Sequence, residues 1–248
     1  MNVVYEPKGR AKEYSELACN LYMGCTHGCR YCFAPSCMRK TPEEWHANVP
    51  LRKDVIKFFE RDAEKLHAIK DERPILFSFL SDPYQPIEKD AQLTRQALEI
   101  ARFYHLKTKI LTKGCAKLIQ RDFHLMKQAG TQLGITVCFV KDETRRYWEP
   151  LASTVDDRFA ILQEAHEMGI YTWVSLEPVI VPEEALAVIE RIAPFVDLWK
   201  IGKLNHMKEV EKQVDWFHFR ERVESLLKSK KASFYIKDDL RLIREPSK

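Results

Sequence analysis

Residues 24–33 read GCTHGCRYCF, and they place three cysteines, Cys25, Cys29 and Cys32, within eight residues. The spacing is Cys-x3-Cys-x2-Cys, and the two glycines in the same stretch indicate a loop. Thiols gathered this closely on one loop are typical of a site that binds a metal or a metal cluster.

Three thiolates suit a cubane iron–sulfur cluster with one iron left open. Such a cluster has four irons, and protein thiolates usually bind all of them. With three ligands, one iron keeps an open position where a substrate or cofactor can bind and react. Two alternatives are a disulfide pair and a structural zinc site, for which His27, Cys37 or Cys19 would supply the fourth ligand.

The composition predicts a protein with a real core in reducing surroundings. The chain has 248 residues, 45% hydrophobic and 31% charged, which allows one large domain or two small ones. Its seven cysteines favour a reducing cytosol over a secreted disulfide framework. Because residues 1–12 lack a signal-peptide core and no apolar run approaches membrane-spanning length, we expect a cytoplasmic protein with no membrane partner. The net charge of +4 permits a polyanionic partner without requiring one.

Short apolar strands alternate with amphipathic helices along the chain. The pattern predicts six strands, over 17–23, 75–80, 108–112, 133–140, 171–176 and 198–201, and a further strand over 233–236. The predicted helices cover 53–69, 91–104, 116–128, 155–168, 183–192 and 216–227. This alternation implies parallel strands joined by right-handed crossovers, in a partial barrel or an open doubly wound sheet. Reactive groups gather at the C-terminal ends of the strands in a barrel, and the cysteine loop follows the first strand there.

Further motifs stand at the ends of later strands. They read SFLSDPYQPIE over 78–88, TKG over 112–114, WEP over 148–150 and LEP over 176–178. Together with the cysteine loop, over about residues 17–201, they resemble the spore photoproduct lyase-like branch of the radical S-adenosylmethionine (SAM) superfamily. The resemblance implies an α/β fold, a partial (β/α)6 barrel of the TIM type, over residues 1–204. Residues 205–248 are predicted to add a C-terminal helix and a strand that close the barrel.

The same resemblance implies the chemistry. It implies a 4Fe–4S cluster on the three cysteines, with SAM on the open iron. One electron would cleave SAM to methionine and a 5′-deoxyadenosyl radical, which abstracts hydrogen from a substrate. An electron donor such as flavodoxin or ferredoxin is then required.

Six residues in the cysteine loop and at strand ends are the predicted SAM contacts: Tyr31, Phe33, Ser81, Lys113, Thr136 and Glu177. The resemblance implies hydroxyl contacts from Ser81 and Thr136 and a cation for the SAM carboxylate from Lys113. Glu177 is placed to accept hydrogen bonds from a ribose, and the two aromatic rings to pack beside the adenine. The alternatives are a solvated lysine, a carboxylate at a helix start and plain loop packing.

One position departs from the lyase pattern. The lyase keeps a hydrogen-donating cysteine two residues before the serine that Ser81 matches, and Phe79 stands there in this chain. An aromatic ring cannot return a hydrogen atom to a product radical, so repair of a thymine dimer by that route is not expected. Cys138, predicted to share a strand face with Thr136, is the candidate catalytic thiol. Its alternative is a small buried hydrophobe.

The substrate is less defined. A predicted loop over 141–148 combines basic and aromatic side chains, which suits phosphates and bases, or is simply an exposed, charged loop. Three functions stay open: a radical enzyme acting on a nucleic acid or nucleotide, a radical enzyme acting on a protein or peptide, and a non-catalytic zinc module.

Overall fold

The computed structural model describes residues 2–245, and its centre is one sheet of eight strands. They are β1 (Val4–Tyr5), β2 (Leu17–Cys19), β3 (Ile75–Phe77), β4 (Thr108–Thr112), β5 (Gln132–Thr136), β6 (Thr172–Val179), β7 (Leu198–Lys203) and β8 (Phe234–Ile236). The order in the sheet is the order along the chain. Strands β2 to β8 pair in parallel, and β1 lies antiparallel on β2. Within residues 2–245 no pairing joins β8 back to β1, so the sheet is not closed and the predicted α/β partial barrel is confirmed.

Helices fill the connections between the strands. The α-helices are α1 (Ala34–Cys37), α2 (Pro42–Ala47), α3 (Val55–Ala68), α4 (Glu88–Ala91), α5 (Leu93–Phe103), α6 (Ala116–Arg121), α7 (Phe123–Ala129), α8 (Asp142–Trp148), α9 (Val155–Glu167), α10 (Pro182–Ile192), α11 (Lys208–Glu211), α12 (Trp216–Ser229) and α13 (Asp238–Arg241). Two short 3-10 helices cover Gly9–Glu13 and Ala193–Phe195. None of the helices in this part of the chain has the length and apolar character needed to cross a membrane.

Local sequence explains where these elements lie. Strand β3 reads ILF and is buried throughout, as expected for a parallel strand covered on both faces. Helix α9 begins after Thr154, whose hydroxyl accepts a hydrogen bond from the Asp157 N–H at 3.1 Å. Helix α7 ends at Gly130, which has φ +62°, a left-handed conformation that glycine adopts without strain.

The sequence located the strands well and their ends less well. Strand β5 ends at Thr136 instead of running to 140, and β2 ends at Cys19. The two-residue strand β1 carries too little pattern to be found. Strand β8 pairs with β7, so the described residues after 204 extend the same sheet but do not close it into a barrel as predicted. The division at 204 stays a prediction, and residues 1 and 246–248 of its two units lie outside the described residues.

Lys200 on β7 binds the main chain of residues 13–14, which lie just before β2. Its buried ammonium donates hydrogen bonds to the carbonyl oxygens of Glu13, at 2.5 Å, and Tyr14, at 3.2 Å. The rings of Tyr14, Trp173 and Tyr235 lie within 6 Å of it. Burial lowers the pKa of Lys200 from 10.5 to about 8, and the nearby Lys109 and Lys237 act in the same direction.

The depressed pKa of Lys200 predicts a stability that depends on pH. Below pH 8 the lysine is protonated in the folded and unfolded states, and the folded state bears the full cost of the buried charge. Between pH 8 and 10.5 only the unfolded state keeps the proton. The folded state no longer contains the buried charge, so the free energy of unfolding increases as pH rises through this range. We expect the wild type to gain up to roughly 3 kcal/mol relative to Lys200→Met over that range. Urea unfolding of both proteins from pH 7 to 10.5 measures the difference. A difference in the free energy of unfolding between the two proteins that does not change with pH would contradict the depressed pKa of Lys200.

Candidate active site

A cavity of about 410 Å³ lies at the C-terminal ends of the parallel strands, where a barrel collects its reactive groups. Nine of the ten site residues predicted from the sequence line it: Cys25, Cys29, Cys32, Tyr31, Phe33, Ser81, Lys113, Thr136 and Glu177. They come from the cysteine loop after β2 and from the ends of β3, β4, β5 and β6. The folding of the sheet therefore brings together residues that lie up to 152 positions apart in the sequence.

The inner part of the cysteine loop is held by side chains. The Gln85 amide donates to the Gly24 carbonyl at 3.0 Å and accepts a hydrogen bond from the Thr26 N–H at 3.2 Å. The His46 Nδ1 lies 2.6 Å from the Cys25 carbonyl oxygen. Because the loop lacks regular secondary structure, these contacts replace the hydrogen bonds that a helix or strand would supply.

The outer part of the loop is held by the chain after α8. The Arg30 N–H donates to the Trp148 carbonyl at 2.9 Å, and the Leu151 N–H donates to the His27 carbonyl at 3.1 Å. Motifs far apart in the sequence thus fix the three cysteines in one conformation.

The three thiols suit a cluster better than a single ion. A zinc site needs ligands that converge on one ion, whereas each thiolate of a cubane binds a different iron. Cys25, Cys29 and Cys32 line one cavity wall, but among residues 2–245 no three His, Cys, Asp or Glu side chains converge on a single-ion site. Burial raises the pKa of Cys25 and Cys32, and raises that of Cys29 to about 12. The free thiols are therefore protonated, and ligation would release their protons.

Asp82, which lines the cavity with the cysteines, binds groups from the ends of two neighbouring strands. Its carboxylate accepts hydrogen bonds from the Tyr84 N–H at 2.8 Å, the Thr112 hydroxyl at 2.6 Å and the Lys113 N–H at 2.7 Å. His27 approaches the same carboxylate at 3.6 Å. Asp82 therefore fixes the chain after β3 to the end of β4.

Lys113 is a cation that lines the cavity and interacts electrostatically with Cys29. Burial alone would lower the pKa of Lys113, but the negative charges of Cys29 in its thiolate form, of Glu149 and of Asp82 outweigh burial and raise it above the ordinary value. The ammonium lies 5.8 Å from the centre of the Tyr31 ring. A charged amine in this position can pair with an anionic group of a ligand.

A buried ion pair that the sequence analysis missed supports Tyr31. Glu149 and Arg158 are 0% and 1% exposed, and a guanidinium nitrogen lies 2.5 Å from the carboxylate. Tyr31 donates its hydroxyl hydrogen to Glu149, and Arg158 donates to the Thr136 carbonyl at 3.1 Å. Burial favours protonation of Glu149, but Arg158 and Lys113 outweigh it and lower the pKa of Glu149. The motif WEP contains Glu149, whereas nothing in the sequence distinguishes Arg158 from a solvated helix residue.

Glu177 accepts hydrogen bonds from one side chain before β2 and from one after β8. It lies within β6, not at a helix start, and both of its oxygens accept hydrogen bonds from Lys237 at 2.8 Å. Tyr14 donates its hydroxyl hydrogen to the same carboxylate and lies 2.8 Å from the Ser175 hydroxyl. Burial and the nearby Glu177 raise the pKa of Tyr14 well above its ordinary value, so the phenol keeps its proton. The predicted ribose contact of Glu177 would have to share this carboxylate with Lys237 and Tyr14.

Cys138 is placed differently from the other nine residues. It lies beyond the end of β5, is 1% exposed, and is not among the residues that line the cavity. The alternation of side chains along a strand therefore does not predict the direction of the Cys138 side chain from that of Thr136. A thiol gives a hydrogen atom only to a radical that it contacts, so direct donation by Cys138 stays a prediction that this geometry does not support.

The predicted substrate loop is mostly a helix. Residues 142–148 form α8, and Arg145 is buried, bound to Asp142 at 2.8 Å and to the carbonyls of Glu149, Pro150 and Ala152. Arg145 is therefore not one of the basic groups that the predicted loop over 141–148 could offer to a phosphate, because its donors are used within the protein.

A comparison with family models identifies one family, and a comparison with curated proteins finds one relative. The family model described as "Radical SAM superfamily" matches residues 19–196. An uncharacterized protein of Methanocaldococcus jannaschii is 30% identical over 191 residues, which are 75% of this chain and 69% of that protein.

Solved structures show the same fold. A spore photoproduct lyase mutant with bound AdoMet and dinucleoside spore photoproduct matches with a TM-score of 0.67 at 13% identity, over 93% of this chain and 78% of that one. Streptococcus suis SuiB bound to S-adenosylmethionine matches with a TM-score of 0.61 at 13% identity, over 88% of this chain and 45% of that one.

The ion pair predicts a large and specific loss of stability. Arg158→Met leaves the Glu149 carboxylate buried without its partner, which should cost about 3–5 kcal/mol in the free energy of unfolding. Removing both charges, in Glu149→Gln with Arg158→Met, should recover part of that loss. Arg222→Met, which breaks an exposed pair with Glu183, is the matched control and should change little. Urea unfolding measures all three, and equal effects of the two arginine substitutions would refute the assignment.

Proposed function

The chain belongs to the radical SAM superfamily, and from this premise we propose that it is an enzyme that takes hydrogen from a nucleic acid or nucleotide. The resemblance inferred from the sequence is confirmed by the family match. The superfamily uses a 4Fe–4S cluster and SAM. The observation that carries the proposal is that three cysteines and six predicted SAM contacts line one cavity.

In the proposed site, Cys25, Cys29 and Cys32 hold the cluster. When bound, the cluster and SAM supply the one-electron chemistry that generates a 5′-deoxyadenosyl radical. The protein's own groups bind and orient. Lys113, kept charged by its neighbours, would pair with the SAM carboxylate, and Asp82 fixes the main chain from which it projects.

The remaining predicted contacts surround the same space. The hydroxyls of Ser81 and Thr136 would meet polar groups of SAM, and the rings of Tyr31 and Phe33 would flank its adenine. The hydrogen bond to Glu149 fixes the orientation of the Tyr31 ring.

Basic side chains in the cavity lining support an anionic substrate. The lining includes Lys8, Arg10, Lys203 and His206. Arg10 pairs with Asp239 at 3.3 Å and Lys203 with Glu211 at 3.2 Å, while the negative charge of Glu177 is matched by Lys237. Basic side chains at the mouth of a cavity attract phosphates. A solved relative of similar fold holds a dinucleoside spore photoproduct, which fits this substrate class. SuiB has been solved with its precursor peptide, so a peptide is the competing outcome.

The reaction is proposed to differ from the thiol-dependent lyase route. Phe79 lines the cavity, and the Tyr14 ring packs edge-on against it with 6.0 Å between centroids. A cavity wall of two aromatic rings offers no thiol at this position. The hydrogen that completes a repair reaction must then come from another group, or the product is oxidised or rearranged.

The cluster assignment predicts three sensitive cysteines and four insensitive ones. Cys25→Ala, Cys29→Ala or Cys32→Ala should each abolish iron loading after anaerobic reconstitution, together with release of 5′-deoxyadenosine from SAM. Cys19→Ala, Cys37→Ala, Cys115→Ala and Cys138→Ala are the matched controls and should keep both. Iron content, visible absorbance and chromatography of 5′-deoxyadenosine measure the outcome. Full iron retention in the three motif variants, or zinc in place of iron, would refute the assignment.

The basic residues of the cavity lining predict salt-dependent binding of a DNA or RNA oligonucleotide. Lys8→Ala with Arg10→Ala removes two proposed phosphate contacts, so the negative slope of log affinity against log salt should become shallower by about 1.5. Lys117→Ala with Lys127→Ala, on exposed positions of α6 and α7, should leave the slope unchanged. Fluorescence anisotropy at several salt concentrations measures it. Equal slopes in both double variants, with a peptide stimulating 5′-deoxyadenosine release instead, would favour the competing substrate class.

A further inference from the structure

The cysteine loop has an outer face that lies against solvent. Cys29 lines the cavity from within, whereas the next residue, Arg30, is exposed. One peptide bond therefore separates a predicted ligand from the protein surface. Cys25 is placed more deeply, with its N–H donating to the Trp45 carbonyl of α2.

The end of α8 widens this face with large exposed side chains. The Arg30 guanidinium lies 4.1 Å above the Tyr147 ring, and the Tyr147 side chain is 55% exposed. Leu151, which is 69% exposed, is tied by its N–H to the cysteine loop, and the exposed Pro150 packs near Gly28. Adjacent exposed apolar groups of this kind mark surfaces that other proteins contact.

The face is fixed before any partner arrives. The buried Arg145 binds the carbonyls of Glu149, Pro150 and Ala152, and so holds the turn after α8. Pre-organised surfaces bind without the cost of ordering loops.

The exposed charge on the face is mainly positive. Arg30 and Arg146 are exposed, whereas the carboxylate of Asp142 is taken up by Arg145 at 2.8 Å and Arg146 at 3.3 Å. Glu143, one turn before Tyr147, is the exposed acid of α8. Electron-transfer complexes are small and transient, and charges at their rim set the rate of association.

We propose that Arg30, Arg146, Tyr147, Pro150 and Leu151 form a carrier face, the docking surface for an acidic one-electron carrier protein. The inference rests on the proposed function, because the predicted cluster needs an electron from outside. One electron leaves the reduced carrier, which is oxidised by one electron, and it is taken up at the site held by Cys25, Cys29 and Cys32. The carrier face leaves the cavity, and thus the SAM and substrate sites, free during this transfer.

The test uses two charge reversals of opposite sign on α8, outside the cavity lining. The probe is an acidic flavodoxin, and the loaded full chain is used throughout. At low salt, Arg146→Glu should weaken flavodoxin binding at least fivefold and slow reduction by the flavodoxin hydroquinone to a similar extent. Glu143→Lys should tighten binding and speed reduction, and both effects should shrink as salt is added. Binding is measured by titration, and reduction by the loss of visible absorbance after mixing.

Two controls separate docking from chemistry. Photoreduced 5-deazariboflavin, a small uncharged reductant, should reduce the wild type and both variants at one rate. Lys127→Glu, a charge reversal on α7, should leave flavodoxin affinity within twofold of the wild type. Unchanged flavodoxin affinity and rate in both α8 variants would overturn the carrier face. Failure of deazaflavin-reduced wild type to release 5′-deoxyadenosine would instead overturn the proposed function, because flavodoxin titration measures docking independently.

Discussion

The buried ion pair between Arg158 and Glu149 is the interaction on which the site depends most. It joins helix α9 to the turn after α8, and the same two residues reach the Tyr31 hydroxyl and the Thr136 carbonyl. A charged pair in the interior is retained at a cost in desolvation, so its presence needs a reason beyond stability. Here the reason is placement: the pair sets the cysteine loop and the end of β5 at a fixed separation.

Charge balance shapes the rest of the cavity. The carboxylates of Asp82, Glu149 and Glu177 each have partners, supplied by main-chain N–H groups or by buried cations. Lys113 stands among two of these acids and Cys29, and remains charged. An iron–sulfur site that carries negative thiolates is better tolerated next to such a cation. The carboxylates of the cavity are thus each matched by donors, and Lys113 adds a positive charge to the lining.

Much of this arrangement could be predicted from short sequence motifs, and the failures have physical causes. The cysteine spacing and the residues at strand ends marked the cavity, because parallel strands bring their C-terminal ends to one edge. The alternation rule failed at Cys138, since β5 stops at Thr136 and the next residues leave the strand geometry. Arg145 and Arg158 were missed as buried groups because an arginine in a helix normally faces solvent, and only the tertiary structure supplies their partners. The pairing of Lys237 with Glu177 was missed because the two residues are far apart in sequence. They meet only when β8, which precedes Lys237, joins the sheet.

The sheet order, which follows the chain from β1 to β8, has a consequence for biosynthesis. A ribosome releases the strands in the order in which they assemble, so each can join an edge that already exists. The counter-ion of Glu177 emerges only after all eight strands, since Lys237 follows β8. A nascent or prematurely terminated chain can display all three cysteines while the carboxylate of Glu177 still lacks Lys237. Synthesis and docking of the segment after β8 are therefore the events that neutralise Glu177 in the cavity.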